Sequence, residues 1–195
     1  MRELLRMGVA GVIVLGLASV CLADSFPPSI DFQTDGIIED GNTFLNVRVF
    51  DDAMVSMTGG NIKGDLELYN TSIFNAEGGA MADTSMGWSS RITLFDNSII
   101  NLYELDGGVA YGIPFTHIEV ASGANGQIHF YGYGFQFNGD VLSGYWDNGS
   151  SFLFSIRSNL ETREALEFHE IPEPATFGIL TIGFAILQLT RKSYK

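Results

Sequence analysis

Cysteine is almost missing from this chain of 195 residues, with Cys21 the single example. A disulfide framework and a cysteine-based metal site are thereby excluded for everything that follows it. Positive charge is scarce as well, with 10 Lys and Arg against 23 Asp and Glu. Between Asp24 and Ile171 only Arg48, Lys63, Arg91, Arg157 and Arg163 are basic, against 21 acidic residues, so the formal charge there is 5 − 21 = −16. Phosphate contacts need clustered Lys and Arg, so no nucleic-acid partner is expected. The same acidity favours solubility and attracts divalent cations. The sequence also lacks a nucleophile elbow, a phosphate loop and a dinucleotide fingerprint. His117, His129 and His169 stand apart and show no ligand spacing on a helix, so neither a metal site nor a cofactor is expected.

Long apolar runs occur only at the two ends. Arg2 and Arg6 precede the apolar stretch Met7 to Leu22, and Cys21-Leu22-Ala23 offers a small-x-small cleavage site before Asp24. This is the pattern of a secretory signal peptide over residues 1–23. A lipid-modified cysteine is the alternative, but Val20 occupies the position before Cys21 where a small residue is required. At the other end, Ala175 to Thr190 carries no charge and is followed by Arg191, Lys192 and Lys195. A helix of that length covers roughly 24 Å of a hydrocarbon core about 30 Å thick, short for a permanent anchor. The basic residues beyond it would stay cytoplasmic, which leaves the body outside.

Pro172-Glu173-Pro174 immediately precedes this run. The triplet, the apolar helix and the terminal basic cluster together, over residues 172–195, resemble the PEP-CTERM sorting signal of exported bacterial proteins. The resemblance implies recognition by an exosortase, a membrane transpeptidase, with cleavage near the triplet and delivery to the cell surface or its exopolysaccharide. A plain C-terminal membrane anchor is the simpler alternative.

The body between the ends is built from short alternating segments, a β signature. Leu45-Asn46-Val47-Arg48-Val49, Leu66-Glu67-Leu68 and Ile92-Thr93-Leu94 are examples, and turn residues follow each. Helix-friendly content is confined to residues 159–168. Three segments repeat a pattern of apolar residue, aromatic and Asx: Val49-Phe50-Asp51, Leu68-Tyr69-Asn70 and Leu94-Phe95-Asp96. Each leads on to a glycine pair, Gly59-Gly60, Gly78-Gly79 or Gly107-Gly108. Such units cannot bury their apolar positions alone, and stacking does it for them. The pattern predicts an aliphatic column of Val49, Leu68, Leu94 and Val120, and a polar column of Asp51, Asn70 and Asp96 at a bend. The expected fold is all-β: a short right-handed β-helix over residues 45–171, with residues 24–44 as an N-terminal extension or cap. A β-sandwich is the alternative.

A second signal lies in residues 141–146 and 151–157, which read as a hairpin closing the coil stack, with Asn148-Gly149 suited to a type I′ turn. The repeated Asx-bearing coils, the block Tyr131-Gly132-Tyr133-Gly134-Phe135 and this hairpin make the body similar to secreted β-helix proteins that carry the sorting signal in planctomycete-type bacteria. Tyr131, Tyr133, Tyr145 and Trp146 are candidate carbohydrate contacts if they face water, and core residues otherwise. The expected function is that of an exported, non-catalytic structural or binding protein, with exosortase, the secretion machinery and extracellular polysaccharide as partners. A polysaccharide lyase or hydrolase, using Asp51, Asp52 and Asp96, is one alternative. A calcium-dependent adhesion module is another, although no calcium-binding repeat is present.

Overall fold

The computed structural model describes residues 26–83, 87 and 89–172. Residues 1–23, expected to be a signal peptide, the apolar run 175–190 and the basic tail lie outside these residues. No helix among the described residues is long and apolar enough to cross a membrane.

The first strands are short: β1 (Ile30–Phe32), β2 (Gly36–Ile38), β3 (Thr43–Phe44), β4 (Val47–Val49), β5 (Met54–Met57) and β6 (Asn61–Ile62). They are followed by β7 (Leu66–Leu68), β8 (Ile73–Met81), β9 (Ser90–Leu94), β10 (Ile99–Asp106), β11 (Val109–Ala110) and β12 (Ile113–Pro114). The chain ends in β13 (Thr116–Val120), β14 (Gln127–Asn138), β15 (Val141–Trp146), β16 (Ser151–Ile156), α1 (Leu160–Glu164) and β17 (Leu166–Glu170). The protein is all-β, as its alternation predicts.

Pairing follows two long parallel ladders. One runs β1, β4, β7, β9, β13, β16. The other runs β2, β5, β8, β10, β14, β17. A shorter ladder links β3 and β6 to the end of β8. Thus β1, β2 and β3, in the stretch expected to be an extension or cap, pair with the strands that follow them. Antiparallel pairing is confined, among the described residues, to β14–β15–β16 and to the small β11–β12 hairpin. The path of the large sheet begins at β1 and ends at β2, which only residues 33–35 separate, so the sheet nearly closes on itself like a barrel.

Register sets Val49, Leu68, Leu94 and Val120 side by side in the first ladder, the column aligned from the repeats. All four are buried, and they join one core with Ile38, Met57, Ala76, Leu102 and Phe130 of the second ladder. Full burial of each large aliphatic side chain contributes about 1.5–3 kcal/mol, which is why an alternating pattern with one apolar face is sufficient to set this register.

The bends between ladders use the Asx residues. Asp51, Asn70 and Asp96 adopt left-handed φ values of 59°, 58° and 54°, a conformation in which short polar side chains are favoured over other non-glycine residues. Asn70 Nδ2 donates to Asp51 Oδ1 at 3.1 Å, and the Asn70 backbone N–H donates to Asp96 Oδ2 at 3.0 Å. The preceding aromatics stack in the same register, Phe50 on Tyr69 at 4.8 Å and Tyr69 on Phe95 at 4.6 Å. Asn70→Ala is expected to destabilise the body by about 1–2 kcal/mol, from left-handed strain and the lost side-chain bond. Asn70→Gly removes the strain and should cost less; urea denaturation of both variants measures the difference.

The hairpin β15–β16 forms over the expected residues, but its turn differs from expectation. Only Gly149 is left-handed, with φ 83°. The Gly149 N–H donates to Trp146 O, and the Trp146 N–H donates to Ser150 O. This is a three-residue loop in which a normal turn is followed by a left-handed glycine, so Asn148 need not take the positive φ that type I′ demands. The helix-friendly stretch divides: α1 is five residues long, and residues 166–170 become a strand. Asn159 caps α1 by accepting from the Thr162 N–H, and Thr162 Oγ1 accepts from the Val120 N–H. The cap thus ties α1 to β13 and delivers β17 to the open edge of β14.

Candidate functional site

Strand alternation decides what β14 and β17 present to solvent. On β14, Ile128 and Phe130 point into the core, so His129 and Tyr131 point out. On β17 the matching outward residues are Glu167 and His169, because the register pairs His129 with Glu167 and Tyr131 with His169. The same outward rows continue on β10 with Asn101 and Tyr103, and on β8 with Asn75. Asn101 Nδ2 donates to Asn75 Oδ1 at 2.8 Å.

Tyr131 is sandwiched on this face. Its ring stacks on Tyr103 at 4.3 Å and on His169 at 4.4 Å. Burial, and secondarily a hydrogen bond with Tyr103, push its hydroxyl pKa up, so it stays a neutral phenol. His129 Nδ1 lies 3.0 Å from His169 Nε2. Glu167 Oε2 lies 3.7 Å from His129 Nδ1 and 3.9 Å from His169 Nε2. Two of the three histidines that stand apart in the sequence, His129 and His169, are therefore neighbours. A parallel ladder places residues 40 apart side by side, and the test of helical spacing does not address that geometry. His129 Nε2 is buried and has no partner among the described residues. A bare nitrogen tolerates that better than an N–H does, which favours the tautomer in which His129 Nδ1 donates to His169 Nε2.

Burial lowers the His129 pKa, against a smaller opposing pull from Glu167. Its contribution to stability is thus present above the unfolded value of about 6.5 and is lost as the pH falls through the lower folded value. Acidification from neutrality should reduce the melting temperature, and His129→Gln should flatten that slope. A variant with the unaltered acid slope would contradict the assignment.

The carbohydrate candidates separate. Trp146 is 2 % exposed and packs against Phe152 at 4.1 Å, so it is a core residue and cannot offer its face to a sugar. Tyr145, its neighbour on the opposite face of β15, is 46 % exposed and stacks on Tyr133 at 5.4 Å. Tyr131 and Tyr133 are half-buried. A shallow groove of about 360 Å³ adjoins the histidine face, lined by residues 123–127 with Glu161, Glu164, Ala165 and Glu167.

Asp51, Asp52 and Asp96, the carboxylates of the catalytic alternative, lie at the bends between ladders. Asp51 and Asp96 flank Asn70 from the two neighbouring strands and are both hydrogen-bonded to it. All five basic residues of the body are ion-paired: Arg48 with Asp31 and Glu67, Lys63 with Asp83, Arg91 and Arg157 with Glu119, and Arg163 with Asp140. The Pro172-Glu173-Pro174 triplet begins where the sheet ends. The Ile171 N–H donates to Gly132 O at 2.7 Å, and Pro172, the next residue, is exposed. Glu173, Pro174, Arg191, Lys192 and Lys195 lie outside the described residues. No family model, curated protein or solved structure matches the chain.

Proposed function

We propose that this chain is an exported, non-catalytic protein of the cell surface or extracellular matrix, delivered through a PEP-CTERM signal that an exosortase reads. The observation that carries the reading is the order of parts at the C-terminus. The last ladder bond is made by Ile171, and the triplet, the uncharged run and the basic tail follow without a spacer. A transpeptidase would then find the triplet directly after the folded body, where Pro172 is exposed. The N-terminal segment 1–23 supplies entry to the secretion machinery, and the apolar run holds the precursor in the membrane until it is processed. Fractionation of the native cell tests this: mature protein belongs with the surface or matrix polymer, and a cytoplasmic pool would overturn it.

The body is a short right-handed β-helix in this reading, with β14–β16 as its C-terminal cap. Two parallel ladders visited alternately by the chain support it, whereas a sandwich built from hairpins would be dominated by antiparallel pairs. Such a body suits a structural or binding role in polymer. Tyr103 and Tyr145, both exposed, are the rings available for stacking on sugar, whereas Tyr131 has both faces covered and Trp146 is buried. The lyase or hydrolase alternative has less support, because Asp51 and Asp96 are both hydrogen-bonded to Asn70 and the five basic residues of the body are ion-paired elsewhere. The calcium-adhesion alternative rests on net acidity alone.

A further inference from the structure

We propose that His129, Glu167 and His169 form a binding site for a divalent transition-metal ion such as zinc. The three donor atoms mark a triangle with sides of 3.0, 3.7 and 3.9 Å. The point equidistant from the corners of such a triangle lies about 2.1 Å from each, which is the length of Zn–N and Zn–O bonds. One Oε2, one Nδ1 and one Nε2 can therefore reach a single ion with small side-chain rotations. Two imidazoles and a carboxylate are a borderline set that suits zinc and its neighbours, while calcium and magnesium prefer oxygen alone.

The scaffold fixes this arrangement. His129 and Glu167 are register partners across a parallel ladder, and His169 is two residues beyond Glu167 on the same face. Tyr131 lies flat against the His169 ring with 9° between planes, which limits its rotation. Metal binding needs neutral imidazoles. Coordination through Nδ1 needs the other neutral tautomer of His129, so the ring proton leaves Nδ1 to solvent and one is taken up at Nε2, with no net release. That nitrogen has no acceptor among the described residues, which offsets part of the binding energy. Glu167 also lines the neighbouring groove, so the ion would keep a position open to water or to an external ligand.

Titration of the full chain with zinc, followed by calorimetry, tests the site. The expected result is one equivalent that binds more tightly than the diffuse acidic surface. His169→Ala and Glu167→Gln should each weaken that equivalent by about tenfold or more, while His117→Ala leaves it unchanged. Cobalt in place of zinc reports nitrogen coordination through its visible bands, which should vanish in His169→Ala. Far-ultraviolet circular dichroism establishes that the variants remain folded; His169 and Glu167 are both partly exposed, so neither change opens the core. A wild-type isotherm that the variants reproduce, or one without a tight equivalent, would overturn the proposal and leave the pair as a histidine–histidine hydrogen bond.

Discussion

Trp146→Ala is expected to remove about 3–5 kcal/mol of stability, whereas Tyr145→Ala, one position away, should cost less than about 1 kcal/mol. The two residues differ only in the face of β15 on which they lie. Trp146 meets Phe130, Phe152 and Phe154 within 6.3 Å of ring-centre separation, and its removal leaves a cavity where β14, β15 and β16 converge. A domain of this size has about 5–15 kcal/mol in total, so the variant would lose a large share of its folded population. Tyr145 loses one exposed stack on Tyr133. Urea denaturation followed by circular dichroism separates them. Equal losses for the two variants would refute the division of β15 into a core face and a surface face.

The second large effect concerns location. Pro172→Ala combined with Pro174→Ala is expected to reduce surface-delivered protein by an order of magnitude and to leave an unprocessed precursor in the membrane. Stability of the body should not change, because Pro172 is exposed and follows the last ladder bond. That contrast distinguishes a recognition defect from a folding defect, since a misfolded body would also fail to arrive but would melt at a lower temperature. Normal surface delivery of the double variant would leave the triplet without a role and favour a plain anchor.

The first ladder was readable because its neighbours share a sequence pattern. Val49, Leu68 and Leu94 are each followed by an aromatic and an Asx residue, and a stack of equivalent turns keeps equivalent residues in register. Residues 24–44 lack that pattern, yet β1 pairs with β4 because Ile30 and Phe32 alternate on the same core face. The histidine cluster was not readable. His129 and His169 are 40 residues apart, and their contact depends on α1 replacing a strand at the corner, which returns β17 beside β14. A signal was nonetheless present in the alternation His129-Phe130-Tyr131 and Glu167-Phe168-His169, which puts each polar pair on one face once the strands are matched. Grouping Tyr145 with Trp146 in one platform overlooked the same rule, because adjacent strand residues face opposite ways.

Intact mass of the mature protein isolated from its native cell tests the central claim most directly. The account predicts a chain that begins at Asp24 and ends near Pro172-Glu173-Pro174, carrying the mass of an added group from surface transfer. A chain that retains Ala175 to Lys195, or one that still begins at Met1, would contradict it.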